Sequence, residues 1–319
     1  MDALKILSEP NDSWDYLCRK NNNLFHSTGW QQSLNFAFPS ETLYVLNDEE
    51  ENSIAITIFK AGPFRIGYVG FPVGGAISGV HFSETEFREL LSLDFPTRLD
   101  FLRIPVSPFM TTMSLNLSYS KTYETAIIDL QEWDKARLSK SVRSSIRRAE
   151  KSGIKVIDIG DDDARILYKL YCDTVKRHHG ALRYNEKYFH RLAQLSLKIE
   201  NMRIMVAMYE GIIIGFIIVV LNNNTAYYLH GAIEQEYKRF CASDLLLYAA
   251  IQWAKSAKMD VFNLMTSPVD QPTLVRYKEK WKGITRIHKT YEMDIMPLNS
   301  KLFRIIMPAY KSIASILSR

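Results

Sequence analysis

The sequence predicts an α/β protein of the α+β kind, built from two tandem modules that each hold a mixed, mostly antiparallel sheet flanked by helices. Three observations carry that expectation. At 319 residues the chain is about twice the size of a common domain. Its composition, 47% hydrophobic, 12% aromatic and 24% charged, supplies globular cores and excludes a disordered or collagen-like chain. One order of elements, helix, antiparallel meander, helix and strand, can also be read twice along it.

In the first half that order runs through a helical FHSTGWQQSLNFAF, strands TLYVLND, SIAITIFKA and RIGYVGF, a helix SETEFRELLSL and a strand LDFLRIPV. Trp30, Leu34, Phe36 and Phe38 read as the core side of one helix. Phe71-Pro72-Val73-Gly74-Gly75-Ala76 is a glycine-rich turn without the lysine and hydroxyl of a phosphate loop. In the second half, DDARILYKLYCDTVKRH and NEKYFHRLAQLSLKI repeat apolar residues every three or four positions, as amphipathic helices do. MRIMVAMYE, IIIGFIIVVL and TAYYLHGA follow as a meander turned at Glu210-Gly211 and Asn222-Asn223-Asn224. Ser243 or Asp244 can cap DLLLYAAIQWAKSAK, and MDVFNLM supplies a last strand. The aliphatic run from Ile212 to Leu221 is about half the length of a membrane-spanning helix and reads as a buried strand. These readings divide the chain into an N-terminal module at 1–130, a basic connecting helix at 131–150, a C-terminal module at 151–296 and a basic amphipathic tail at 297–319.

The formal net charge of +5 is unevenly spread. Residues 135–155 carry Lys135, Arg137, Lys140, Arg143, Arg147, Arg148, Lys151 and Lys155 against the single acid Glu150, and 299–319 carry four basic residues and no acid. Such segments attract phosphates of nucleotides, coenzymes, nucleic acids or lipid headgroups, or simply form solvated faces. Cys18, Cys172 and Cys241 are too scattered for a disulfide framework or a zinc site. With an N-terminus that does not read as a signal peptide, a cytoplasmic protein is expected.

Five segments resemble one family. VRSSIRRAEKSGIKV (142–156), YCDTVKRHHGALRYNEKYF (171–189), AYYLHGAIEQEYKR (226–239), DLLLYAAIQWAKSAKMDVFNLM (244–265) and LVRYKEKWKG (274–283) together are similar to the FemABX peptidyltransferase-like group of the GCN5-related N-acyltransferase (GNAT) superfamily, in its compact two-module bacterial form. The resemblance is strong over 140–293 and weaker over 20–130. It implies two GNAT-like modules and transfer of an acyl or aminoacyl group from an activated donor to an amine, often on a cell-envelope glycan precursor. Two departures bear on the donor. The stretch Arg239-Phe240-Cys241-Ala242-Ser243-Asp244 lacks the glycines with which acetyl-CoA enzymes admit a pyrophosphate; bulky Phe240 would crowd that group and Asp244 would repel it. The long helical hairpin of many tRNA-dependent members has no counterpart here either.

Acyl transfer needs a neutral amine, a route for its proton, and donors where the oxyanion develops. The resemblance makes Lys278 a contact to donor or reaction centre, where an ammonium could stabilise the oxyanion, with Tyr277 beside it; a solvated lysine is the plain alternative. His230, where the superfamily's central strands part, is a candidate base because its ordinary pKa is near neutral. Tyr228 falls on the same face by the two-residue strand period and could donate to substrate. Arg177 and Arg183 could grip an acceptor carboxylate or phosphate with planar guanidinium forks. His179 and Arg239 complete the expected substrate-binding set, and adjacent His178 and His179 without further ligands at metal spacing argue for no metal.

The expected function is therefore N-acyl transfer to an amine on a sugar or cell-envelope glycan precursor, in the acyltransferase class. No cofactor is expected to be permanently bound; the donor is left open between acyl-CoA, acyl carrier protein and aminoacyl-tRNA. The alternatives are a non-catalytic phosphate- or nucleic-acid-binding protein on a degenerate pair of modules, and an acetyl-CoA-dependent acetyltransferase with an atypical loop. The tail, SKLFRIIMPAYKSIASI from 300 to 316, either packs on the second module or lies in an anionic membrane surface at the inner face of the membrane.

Overall fold

The computed structural model describes residues 4–7, 9–46, 53–79, 84–92, 97–110, 114–160, 163–178 and 180–306. The chain divides into two compact units, one from residues up to 122 together with 286 onward, the other from Tyr123–Thr285.

In the first unit β1 (Lys5–Leu7) precedes α1 (Asp12–Lys20) and α2 (Thr28–Ala37). Asn11 and Ser27 cap these helices, their side-chain oxygens accepting the amides of Trp14 and Trp30 at 3.0 and 3.3 Å. The meander β2 (Ser40–Leu46), β3 (Ile54–Ala61) and β4 (Phe64–Val69) leads to α3 (Glu84–Ser92) and β5 (Phe101–Val106). The core gathers Leu43, Val45, Ile54, Ile56, Ile58, Leu102 and Ile104 from the sheet with Phe87 of α3. Trp30 and Leu34 are buried, whereas Phe36 of the same helix is exposed.

The second unit begins within β6 (Ser118–Ile127) and continues with α4 (Lys140–Lys151), followed by β7 (Lys155–Asp158), α5 (Ala164–Arg177) and α6 (Glu186–Ser196). The meander β8 (Met202–Tyr209), β9 (Ile212–Asn222) and β10 (Thr225–Ile233) runs into α7 (Ala242–Ser256), β11 (Val261–Ser267) and α8 (Pro272–Glu279), after which β12 (Ile284–Asp294) returns the chain to the first unit. Ten of the eleven residues of β9 are buried, as its aliphatic run leads one to expect.

The repeat read from the sequence is present in the pairing. In the first unit β1, β2, β3 and β4 pair antiparallel in succession, and β4 then pairs parallel with β5. The second unit repeats this with β7, β8, β9, β10 and β11. In each the last position, antiparallel to β5 or β11, goes to a strand from elsewhere in the chain: β12 lies along β5, and β6 along β11.

That pairing corrects the expected domains. The first unit ends at 122 rather than 130 and takes back residues from 286 onward, because a strand belongs where its backbone hydrogen bonds are made. The basic segment 131–150 is not a connector either. Leu130, Trp133, Leu138, Val142, Ile146 and Ala149 are buried in the second unit's core, and Trp133 Nε1 donates to Trp281 O at 3.0 Å. Its basic residues sit on the other face of an amphipathic α4, so charge marked the solvent side of a core helix. The start of the tail forms a helix over 297–306 that packs on the first unit, not the second, through Phe303 against Phe64 and Phe101. The remainder of the tail, 307–319, lies outside the described residues.

Candidate active site

In the second unit β10 and β11 stay in parallel register only from Thr225–Tyr227 against Val261–Asn263. Just beyond, β10 bulges against β9 between Tyr228 and His230, and β11 bulges against β6 between Asn263 and Thr266. Bulges end regular pairing and re-aim side chains. Beside this stretch of β10 is a cavity of about 480 Å³, walled by Arg177 and His178 from the end of α5, Tyr228 on β10, Lys238 in the following turn, Ser243 at the start of α7 and Tyr277 on α8. Phe216, Ile217 and Leu246 give it an apolar floor.

Tyr228 is the distinctive group here. Its hydroxyl lies against Gly231, where an added Cβ would overlap it, so glycine is required for the phenol to lie along the strand. Among the described residues this hydroxyl has no hydrogen-bond partner. Burial pushes its pKa up to about 12, which keeps it a proton donor at neutral pH.

The turn before α7 solves the missing-glycine problem in its own way. Cys241 takes left-handed backbone at φ 60° and stands at the helix N-cap without a side-chain hydrogen bond to the first turn. The amides of Ala242 and Ser243, which have no acceptor inside the helix, therefore border the cavity unclaimed. Phe240 does not crowd them, because its ring packs on Tyr209 and Tyr237 at centroid distances of 4.8 and 6.2 Å. Asp244 accepts from the Tyr277 hydroxyl at 3.1 Å and from Ser145 of α4, and burial lifts its carboxyl above the usual range despite both bonds. The Phe240 ring is thus engaged with Tyr209 and Tyr237, and the Asp244 carboxyl with Tyr277 and Ser145.

His230 and Tyr228 do not share a face. The bulge advances β10 by one residue, so that Tyr228 faces Val219 of β9 and His230 faces Ile218, its immediate neighbour. His230 lies instead among Tyr171, Tyr184, Tyr188 and Phe189 of the α5–α6 region, its Nε2 3.0 Å from the Tyr188 hydroxyl. Burial in that aromatic surround pushes its pKa down to about 3, too low to hold the proton of an amine. The base role rested on a near-neutral value and does not fit these surroundings.

Lys278 is not solvated, and it is not among the residues lining the cavity. It is 5% exposed, and its Nζ donates to Met265 O at 2.8 Å and Thr266 O at 3.1 Å. These carbonyls belong to the β11 bulge, where Met265 takes left-handed backbone at φ 61° and its amide donates to Asn263 Oδ1 at 2.8 Å. Asn263 in turn donates to the buried carboxylate of Glu124 on β6. Burial pushes the Lys278 ammonium down to about 7, with Glu124 acting in the opposite sense.

Of the residues expected from the sequence, Arg177, Tyr228 and Tyr277 come together at the cavity. Arg177 is held there by bonds to Thr174 Oγ1 at 3.2 Å and Ile233 O at 3.4 Å. Arg183 and Arg239 are exposed and outside the lining, the latter stacked over Phe240. His179 lies outside the described residues. The sequence reading did not place Lys238 and Ser243 at the site; a cation four residues before a helix dipole's positive end was the available signal. Among the described residues no cluster of three or more His, Cys, Asp or Glu side chains forms a metal site.

Residues 136–280 match the family model described as acetyltransferase (GNAT) domain. No curated protein matches the chain. Among solved structures, FemX is similar over 95% of this chain and 99% of its own, with TM-score 0.67 and 14% identity. L-PGS from Bacillus licheniformis follows at TM-score 0.58 and 13% identity, covering 97% and 98% of the two chains. A tandem GNAT protein from the clavulanic acid biosynthesis pathway has TM-score 0.54 and 11% identity, covering 92% and 98%. Residues 136–280 are thus matched as a GNAT domain within the second unit, and the chain as a whole has a tandem fold similar to those of FemX and the tandem GNAT protein, with the strand plan repeated in the first unit.

Proposed function

We propose that the protein transfers an acyl or aminoacyl group from an activated donor seated in the second unit's cavity to an amine on a sugar or cell-envelope glycan precursor. The observation that carries this reading is the protonated, unclaimed Tyr228 hydroxyl in a cavity that also meets the free amides of α7. The amine nitrogen would add to the donor's carbonyl carbon, and charge would develop on the carbonyl oxygen. Collapse then breaks the bond to the donor's sulfur or oxygen, while the nitrogen loses a proton to water. A hydrogen bond from Tyr228 to the oxyanion or leaving atom favours that transition state over the ground state.

Arg177, His178 and Lys238 at the wall, with the α7 N-terminus, favour a donor bearing phosphate: acyl-CoA, the phosphopantetheine of an acyl carrier protein, or the end of an aminoacyl-tRNA. The sugar or glycan acceptor rests on the family resemblance.

The test is a transfer assay in which each of the three donor types is offered with an amino-sugar nucleotide, followed by mass spectrometry of the acceptor. An acylated amine formed by the wild type and lost in Tyr228→Phe supports the reading; equal yields from variant and wild type overturn it. A second reading draws on α4, where exposed Lys140, Arg147, Arg148 and Lys151 make no ion pair among the described residues. It takes the protein as a polyanion binder, and predicts salt-sensitive RNA or polyphosphate binding without turnover of any donor.

A further inference from the structure

The helix over 297–306 is held to the first unit by one face only. Ser300 Oγ donates to Asp100 O at 3.0 Å, and Asn299 Nδ2 to Asp100 Oδ1 at 2.7 Å. Phe303, 3% exposed, sits against Phe64 and Phe101 at 5.3 and 5.0 Å between ring centroids. Arg304 donates to Glu292 Oε2 and Asp294 Oδ2, each at 3.0 Å. These contacts fix the rotation of the helix about its own axis, and so determine what it shows outward.

What it shows is apolar. Leu298, Leu302, Ile305 and Ile306, spaced as one helical stripe, are 84%, 49%, 64% and 44% exposed. Exposed Lys301 flanks the stripe, and the chain from 297 to its end contains no acid. Arg304 is neutralised by its two carboxylate partners, so the uncompensated charge near the stripe comes from Lys301, with Lys311 and Arg319 further along the sequence. A stripe of aliphatic side chains edged by cations matches an anionic lipid surface, whose acyl boundary takes the first and whose headgroups take the second. A second copy of the chain matches less well, since a two-fold contact would bring the stripe onto itself and set like charges together. No helix among the described residues is long and apolar enough to cross a membrane, so the surface would be met from one side.

We propose that the outward face of the 297–306 helix is a membrane-docking surface for anionic lipid, a property that goes beyond the acyl-transfer reading and stands independently of it. The experiment is cosedimentation of the full chain with vesicles of phosphatidylcholine alone and of phosphatidylcholine mixed with phosphatidylglycerol, at low and high salt. Wild type should bind the mixed vesicles, and less at high salt. The triple variant Leu302→Ser/Ile305→Ser/Ile306→Ser should lose binding by about tenfold or more while still unfolding cooperatively above the assay temperature, since Phe303, Ser300 and Asn299 keep the helix on the first unit. Lys301→Glu should weaken binding to the mixed vesicles by about fivefold. Four results would overturn the proposal: no wild-type binding; undiminished binding by the triple variant; loss of binding only in Arg147→Glu/Arg148→Glu, which would move the surface to α4; or a wild-type dimer that the triple variant converts to monomer in light scattering, which would make a second copy the occupant.

Discussion

At the last in-register pair of the parallel strands the two units carry related residues in different chemical states. In the first unit the pair is Tyr68 with Arg103, and the guanidinium donates to the Tyr68 hydroxyl and, at 3.0 Å, to Glu292 on β12. In the second it is Tyr227 with Asn263, and the amide donates to Glu124 on β6. Each unit thus receives a carboxylate from the strand it borrows, but only the first meets it with a full positive charge. Beyond this pair β4 stops at Val69, whereas β10 runs on to Ile233 and carries Tyr228 into a cavity bordered by an uncapped helix. The first unit has a hollow of about 720 Å³ as well, but at α1, α2 and β2, where Thr28 and Thr97 already donate to the carboxylates of Asp15 and Glu41. One strand plan therefore serves twice: in the first copy the Tyr68 hydroxyl is held by Arg103, and in the second β10 carries Tyr228, whose hydroxyl has no partner among the described residues, to a cavity. Unclaimed buried donors are costly in a framework and useful in a site.

The contrast is open to direct attack, most forcefully at Tyr228. Tyr228→Phe should lower kcat by about 10²- to 10³-fold, or about 2.7–4 kcal/mol of transition-state stabilisation, with the fold unchanged. Tyr68→Phe in the first unit should leave kcat within about twofold and cost about 1 kcal/mol of stability. Steady-state assays and urea melts on both variants decide it; equal losses of activity would erase the distinction between the units. Next in size is Phe303→Ala, which removes a buried ring and should destabilise the first unit by about 3 kcal/mol. Donor affinity measured by calorimetry should stay unchanged below the melting transition if the second unit alone seats the donor.

A titration sharpens the comparison further. Burial lowers the Lys278 pKa from 10.5 to about 7, so between those values the unfolded chain holds a proton that the folded chain has released. The cost of the buried ammonium is full below pH 7 and is relieved as pH rises, so the stability of wild type relative to Lys278→Met should increase from pH 7 to 10. Urea midpoints for the two proteins across that range test the sign; a flat or falling difference would mean that Lys278 is solvated. The smallest effect belongs to Lys238→Ala, expected to raise the donor KM by about fivefold with kcat unchanged, as befits an exposed cation that attracts but does not react. An unaltered KM would remove Lys238 from the site.

The sequence made some of this legible through patterns that depend on neighbours in the chain. The meanders, α5, α6 and α7 follow from apolar spacing and turn residues, and Ile212 to Leu221 from its uninterrupted aliphatic run. β6 and β12 went unread. SYSKTYETAI and ITRIHKTYEMD are too polar to announce themselves as strands, and they exist because β11 and β5 each offer an unfilled edge. Arg177, Tyr228 and Tyr277, singled out by residue type and family resemblance, line one cavity. His230 was misplaced by a single inserted residue, since strict alternation puts it beside Tyr228 and a bulge reverses every face beyond it.

By itself, then, the sequence determined the repeated α/β plan and the resemblance to GNAT proteins, because hydrophobic periodicity and motif order are written locally. Tertiary structure alone decided which strand completes which sheet, that the basic 131–150 segment includes a core helix, and that Lys278 is buried with its ammonium on two carbonyls of a bulge. It also decided that Phe240 and Asp244 leave the α7 N-terminus open. The reason is common to all of these. Each depends on a partner far away in the chain, and the burial, pairing and protonation state of a side chain are properties of its surroundings rather than of its residue type.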